Sequence, residues 1–581
     1  PIHFAEHTMK KIAALLLCLV FAGGVGAYLY LTWPPSAGGQ AARYLPPDAL
    51  AAVRLTHLNP LSARFPGSPL GRFMARETVH AMLTELRADR ETVARYDDLH
   101  DGIAQVMTNP AFRAVFGEDA TLAVLPLDQA AFARDPADTL RRSSVIIAAT
   151  QASGALDLVG RLASGANITR ETVDGLELTK VVLDDGQTVF AHVDGGTVLF
   201  AYAPALISRC VQVRGSDQNL QEAATFQQAA AFWAPYAAET TFARAYVNTA
   251  ALGPLLQQSE YPDLQEAGAL LQGVDYGVSV SRLTDRGVEV LARSQHGYDR
   301  LHEVVRGAVD AASGPNQSLH LLQEQSLAYN WSASLRPETL SQLLAADGQN
   351  DAQSTALARD TFGVSLEELG RAVGPQYGLV LNGITAGGLF PIPRLTLFLG
   401  VQDRAVAETA LTSLRRKVAG YGLAVEEQEQ FQGRAIYSWP LLPGESAQPA
   451  AVLTDTMLYL ANGKQTLKDL LAATATQAAL APAVAEQLGP ELSERVQAAN
   501  FGSFVLYPER LSHQTGPLVD WLASILATTK NLSVSRLGSE TQQLMRATEC
   551  VVATTGLDRE GGKWALTVRL SEPDPAEKTA P

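Results

Sequence analysis

Between Thr172 and Val213 apolar and polar positions alternate in short runs, broken at Asp184-Asp185-Gly186 and Asp194-Gly195-Gly196, and then take helical spacing. Alternation puts every second side chain of a strand on one face, and glycine at the breaks accepts the positive φ of tight hairpin turns. The stretch predicts a three-stranded meander feeding a helix over Leu206 to Val213. The pattern returns in Phe431 to Leu441, Ala450 to Asp455 and Thr456 to Ala473, the last running from a strand into a second helix over Leu467 to Ala472.

The rest of the chain falls into the same order twice. A strand over Ala49 to Leu55 precedes about sixty residues of helical periodicity, including Leu70 to Arg87. Strands over Ala120 to Leu125 and Ser144 to Ala149, a helix over Leu156 to Ala163, the meander, a strand at Thr241 to Val247 and a hairpin turning at Thr284 to Gly287 follow. In the second half Ser326 to Trp331 answers the first strand, and Arg336 to Ala345 its helix, shortened. Gln376 answers Ala120, Leu395 answers Ser144 with a helix over Ala405 to Ala419 behind it, Thr456 answers Thr197, and Phe504 answers Phe242. A last hairpin turns at Asp558 to Gly562. One shortening, in the helical stretch, accounts for most of the change in spacing, as a tandem duplication with a single indel requires.

Hairpins and meanders make antiparallel sheet, and the helices between them must cover a face, so the fold class is α+β, an antiparallel-sheet-plus-helices unit in tandem duplication. The expected divisions are an extraneous leader (1–8), a membrane segment (9–33), a linker (34–43), a first repeat (44–315), a second repeat (316–571) and a disordered tail (572–581). Asp347 to Thr355 and Leu441 to Pro449 read as exposed loops.

The membrane segment follows from Lys10-Lys11 and the absence of charge from Ile12 to Trp33, a run long enough to cross a hydrocarbon core of about 30 Å as a helix. The lysines keep the N-terminus cytoplasmic and send the remainder out. Val25-Gly26-Ala27 satisfies the small-residue rule for cleavage before Tyr28, but the apolar run continues through Tyr28, Tyr30 and Trp33, which favours an uncleaved anchor. The expected location is a bacterial inner membrane, crossed once, with the bulk of the chain in the periplasm or outside the cell.

A formal charge of −15 and few lysines argue against a nucleic-acid partner, which needs clustered cations to replace phosphate counterions. Three cysteines are too few for a disulfide framework; Cys210 and Cys550 read as buried hydrophobes rather than a bridge.

No residue pattern in the sequence points to a catalytic, cofactor-binding or metal site. Asn462-Gly463-Lys464 lacks the upstream glycine and following Ser or Thr of a phosphate loop and reads as a helix start. His296 and His302 have the wrong spacing for two ligands on one helical face and read as solvated side chains. Asp97-Asp98-Leu99-His100-Asp101 is the densest group of acids and imidazole, read as a polar helix end or loop. Glu426, Glu427 and Glu429 read as a solvated face.

Tyr44-Leu45-Pro46-Pro47-Asp48 leading into the first strand, with Pro69-Leu70-Gly71 after it and one N-terminal apolar segment before it, resembles a family of bacterial envelope proteins known as a domain of unknown function. The resemblance implies the layout and brings no catalytic residues. The expected function is therefore a non-enzymatic, membrane-tethered binding or scaffold protein of the envelope, with a partner protein, a lipid or an envelope polymer as ligand and no cofactor. The alternative is an exported hydrolase whose site is assembled from distant residues, with His100, Asp97 or Asp101 as its members.

Overall fold

Alternating β-branched and aromatic residues pair into antiparallel sheet throughout the computed structural model. It describes residues 41–572 apart from 117–118, 150–166, 183–185, 313, 336–350, 386–391, 423, 442–447, 474–479 and 531–532. The expected membrane segment, the helix over Leu156 to Ala163, the helix over Arg336 to Ala345 and most of the loop after Leu441 lie outside the described residues. Among the described residues no helix is long and apolar enough to cross a membrane. The chain divides into two compact units, residues 1–302 with 526–544, and residues 303–525 with 545–581.

The first unit contains β1 (Ala51–Thr56), β2 (Asp119–Val124), β3 (Ser144–Ala149), β4 (Asn167–Val173), β5 (Leu176–Val182), β6 (Thr188–Asp194), β7 (Thr197–Ala201), β8 (Thr241–Val247), β9 (Val274–Thr284) and β10 (Gly287–His296). All pairings are antiparallel, in the spatial order β4-β5-β6-β7-β3-β2-β1-β8-β9-β10. The second unit contains β11 (Ala328–Ser332), β12 (Val373–Thr385), β13 (Ile392–Val401), β14 (Glu427–Phe431), β15 (Arg434–Ser438), β16 (Ala450–Leu453), β17 (Met457–Ala461), β18 (Gly502–Leu506), β19 (Thr548–Leu557) and β20 (Gly561–Leu570). Its order is β14-β15-β16-β17-β13-β12-β11-β18-β19-β20.

The meander of the first unit has four strands, not three. β4 turns into β5 through Asp174 and Gly175, both with positive φ, the backbone of a two-residue hairpin turn whose twist matches its strands. Every side chain from Ile168 to Thr172 is exposed, so β4 lacks the apolar alternation that betrays a half-buried strand, and its Arg170 and Glu171 suit an edge. Asp351–Phe362 is a helix, so the loop expected over Asp347 to Thr355 gives way to helix at Asp351.

In the first unit β1 separates two environments. Leu55 packs with Leu61, Phe242 and Ala243 on the side of the helices that follow β1, with Val53 and Met107 against them. The lead-in Tyr44-Leu45-Pro46-Pro47-Asp48 is clamped to the Pro204–Arg214 helix. Arg214 lies over the Tyr44 ring, the Tyr44 hydroxyl meets Asp194 at 3.2 Å, and Arg209 donates to Asp48 at 2.8 Å. The unit also takes Leu526–Leu544 from far along the chain. Leu537 packs against Val79, Met82, Leu83 and Tyr96, and the Glu85 carboxylate accepts from Arg536 N at 2.8 Å in the first turn of the Ser535–Arg546 helix. In the second unit Tyr329 and Trp331 of β11, Phe398 of β13, and Leu467, Leu470 and Leu471 of the Lys464–Ala473 helix share one core.

Gly378 on β12 sets how closely that core closes, because a Cβ there would stand 2.0 Å from the Asn330 carbonyl oxygen and 2.4 Å from the Phe398 ring. Gly378→Ala should lower the unfolding free energy by about 1–3 kcal/mol through overpacking. Gly67→Ala, which meets nothing within 4 Å, should stay within about 0.5 kcal/mol of the native protein. Urea unfolding of the two variants checks both.

Candidate functional site: an apolar groove in the first unit

The helices between β1 and β2 build a groove. Leu58–Arg64 runs into a 3-10 turn, Phe65–Gly67, and then into the short helix Pro69–Phe73. Ser68 caps that helix, accepting from Gly71 N at 3.0 Å and donating its hydroxyl to Phe65 O at 2.7 Å, with Pro69 pre-set for the first helical position. Gly71 must be glycine for a steric reason, since a Cβ would stand 1.8 Å from Phe65 O. Arg76–Glu85 and Arg90–Thr108 then pack side by side, tied by Tyr96, whose hydroxyl donates to Met74 O at 2.6 Å.

Between these helices lies a cavity of about 390 Å³, inside the range that ligand pockets occupy. Tyr96, Leu99, Ile103 and Met107 line it from one stripe of the Arg90–Thr108 helix, with Phe65 and Met74 opposite. The spacing is the helical three-and-four, so the stripe was present in the sequence. What marks it as a groove rather than core is that Leu99 keeps 42% of its surface exposed. Arg76, Glu77, His100 and Arg113 also line it.

Asp97, His100 and Asp101, singled out in the sequence, do come together here, in mid-helix and not at a helix end or loop, and are joined by Arg76 and His80, which the sequence reading missed. Arg76 lies 3.4 Å from Asp97 and 3.1 Å from Asp101, and His80 Nδ1 lies 3.2 Å from Asp97. The Arg76 hydrogen bond holds the Asp97 carboxyl below the usual aspartate value, and Asp97 in turn raises Arg76. That is the pattern of an ion pair pinning two helices, and a carboxylate stabilised in its charged form is a weakened base. His100 Nδ1 sits 3.5 Å from Asp101, buried and without a hydrogen bond. Ser62 lines the same groove, but its hydroxyl donates to Asn59 O at 3.1 Å. The geometry suits holding an apolar chain with a polar end better than activating a nucleophile.

The other singled-out residues go elsewhere. His296 ends β10 and is buried, contrary to the expected solvated position, because the strand continues to it through a shift in register at Gln295. Asn462-Gly463-Lys464 starts a helix, as read, but Lys464 is buried and lies 3.3 Å from Glu427 and 3.6 Å from Glu429, while Lys468 reaches Glu429 at 2.9 Å. Glu426 accepts from Arg415 Nε at 3.0 Å and from its Nη2 at 2.5 Å. Glu427 keeps the exposed position read for it, and the three acids also pair with cations of two helices. Cys210 and Cys550 are buried thiols not joined in a disulfide, and burial pushes Cys210 up to about 12, far from a reactive thiolate. Among the described residues no group of three or more potential metal ligands occurs. A second crevice, of about 440 Å³, is lined by Glu324, Gln325, Gln487, Arg510, His513 and Gln514 in the second unit.

A model of the protein family of unknown function DUF3352 matches residues 12–561. The chain belongs to the DUF3352 family. DUF3352 is a family of unknown function. No curated protein matches this chain. Solved structures of TP0453 are similar to part of it. Crystal form I aligns at 8% identity and a TM-score of 0.22, covering 45% of this chain and 79% of that one. Form III aligns at 10% and 0.23, covering 45% and 82%.

The ion-pair reading of Asp97 fixes a pH dependence. Its folded pKa is lowered from 3.8, so its stabilisation is present above that value and lost as pH falls through the folded one. Asp97→Asn should be less stable than the native protein at neutral pH, and the gap between their urea midpoints should close toward about pH 2.

Proposed function

We propose that this DUF3352 protein is a non-enzymatic, membrane-tethered binding protein of the bacterial envelope that holds the acyl chain of a lipid or other amphiphile in the groove of its first unit. The observation that carries the reading is the apolar groove with Arg113 and His100 among its lining. Each methylene taken from water there contributes about 0.8 kcal/mol. An extended peptide fits less well. Its backbone N–H and C=O groups would go unpaired against helices whose own backbone bonds are internal, at about 1–3 kcal/mol each. Arg113 is suited to an acidic head group, because its Nε donates to the Asn59 side chain at 3.4 Å rather than to a carboxylate. The tether is the uncharged run from Ile12 to Trp33, which places the folded units outside the cytoplasm.

The two units are copies of one ancestral unit in this reading. The support is the strand orders, which agree strand for strand, and matching hydrogen bonds around the central strands. Leu50 N donates to Val124 O and Leu327 N to Leu381 O. Asn248 N donates to Leu50 O and Tyr507 N to Leu327 O. The first hairpins of the meanders agree as well, with Gln432 and Gly433 at positive φ like Asp174 and Gly175. The first copy keeps the longer helical insert and with it the groove.

A second reading, that the ligand is a polar envelope polymer, draws on the crevice of the second unit, whose six lining residues are all polar. Titration with a fluorescent fatty acid separates the two. The native protein should bind it saturably, and Ile103→Asp, a charge set into the groove wall, should weaken binding at least about tenfold, a change of about 1.4 kcal/mol. Mass spectrometry of protein taken gently from its native membrane should find a co-purifying lipid. Failure to bind the fatty acid saturably, with no lipid carried through purification, removes the acyl-chain reading.

A further inference from the structure

On one face of the first unit's sheet three side chains stand in a row across three strands. Thr121 of β2, Arg54 of β1 and Arg244 of β8 are direct cross-strand partners. Direct partners in antiparallel pairs hold their Cβ atoms about 5 Å apart, so two guanidinium stems rise side by side, and like charges so opposed are destabilising. Buried apolar residues flank the row, Ile147 beside Thr121 and Val280 beside Arg244.

Arg54 is answered by a carboxylate, donating Nε to Asp119 Oδ1 at 3.3 Å and Nη2 to Oδ2 at 3.2 Å. Arg244 is not. Its Nη2 donates only to the Tyr236 carbonyl, at 3.3 Å, and its Nε is buried with no hydrogen bond. Burial and the neighbouring Arg54 push the Arg244 pKa down, the mark of a cation held where charge is unwelcome. The Thr121 hydroxyl, on a residue 3% exposed, is also buried without a partner. The row thus holds one positive charge more than negative, an unused guanidinium N–H and an unused hydroxyl. The Arg54 side chain keeps 22% of its surface open to solvent.

The second unit shows what the fold alone requires at this place. The matched hydrogen bonds of the central strands set Gly378, Trp331 and Ser503, also direct partners, against Thr121, Arg54 and Arg244. Gln376 stands against Asp119; the sequence spacing sets it against Ala120, and the paired hydrogen bonds move it by one residue. Trp331, 1% exposed, donates its Nε1 to Gln376 Oε1 at 3.2 Å, as Arg54 donates to Asp119. A neutral, filled row closes the sheet there. The second arginine of the first unit is surplus to folding, and a half-buried guanidinium without an anion is costly to keep.

We propose that Arg54, Arg244 and Thr121 form a binding site for an oxyanion, a carboxylate or phosphate group, taken between the two guanidinium groups and the hydroxyl. Charge-assisted bonds from a planar guanidinium suit both groups. The site is separate from the apolar groove, since Arg54 and the groove-side Leu55 alternate along β1 and stand on opposite faces.

The test uses the full chain in phosphate, acetate or chloride at one ionic strength. The native protein should unfold at higher temperature in phosphate or acetate than in chloride, and calorimetric titration with inorganic phosphate should saturate. A response to phosphate alone supports a phosphoryl ligand; a response to both supports the wider oxyanion class. Arg244→Ser, which installs the residue of the second unit, should weaken phosphate binding at least about tenfold and be no less stable than the native protein in chloride. If that variant does not fold, Thr121→Val, which leaves every charge in place, must weaken phosphate binding several-fold. Equal native stability in all three salts, or an undiminished response in a folded Arg244→Ser, overturns the proposal.

Discussion

The hydrogen-bond register of the central strand β1 is the constraint on which the first unit depends. β1 is paired on both sides, by β2 and by β8, and side chains along a strand alternate between faces with a period of two. A slip of one residue would exchange the two faces wholesale. As registered, Leu55 meets Leu61, Phe242 and Ala243 under the helices that carry the groove, while Arg54 meets Thr121 and Arg244 on the other face. Met107 belongs to both worlds. It packs against the Leu55 cluster and lines the groove, so the sheet's register is transmitted to the groove floor through one flexible side chain.

Polar contacts flank the groove beside the apolar cluster of Val79, Met82, Leu83 and Tyr96 that packs its helices. Ser68 and Gly71 make the turn after Phe65 tight, the Tyr96 hydroxyl fixes the Met74 corner, and Arg76 bridges two acids one helical turn apart on the neighbouring helix. These bonds stand at or beside the groove wall. They fix the spacing of the helices while leaving Leu99 and Ile103 unfilled, which a wholly apolar seam would have closed.

Much of this architecture was legible in the chain. The half-buried strands advertise themselves by alternation, and the hairpin of β6 and β7 by Gly195. The stripe from Tyr96 to Met107 has helical spacing. Pro69-Leu70-Gly71, which carries the family resemblance, opens the short helix Pro69–Phe73, where the Phe65 carbonyl demands the glycine. The edge strands were poorly legible. β4 and β14 are largely polar, because an edge strand with exposed side chains has little reason to alternate. The ion pairs of Glu427 and Glu429 were not legible, because their cations, Lys464 and Lys468, lie beyond three further strands in sequence.

By itself, then, the sequence determined the α+β class, most strands and helices, and the family to which the chain belongs, because periodicity and turn chemistry are properties of neighbouring residues. Tertiary structure alone decided that Asp97 and Asp101 would clasp Arg76, that Leu537 would pack beside Val79, that His296 would be buried, and that Thr121, Arg54 and Arg244 would share one row. These residues are brought together by strand register and helix packing. A row across three strands joins positions whose separation in the chain depends on the loops between them, and no local pattern records it.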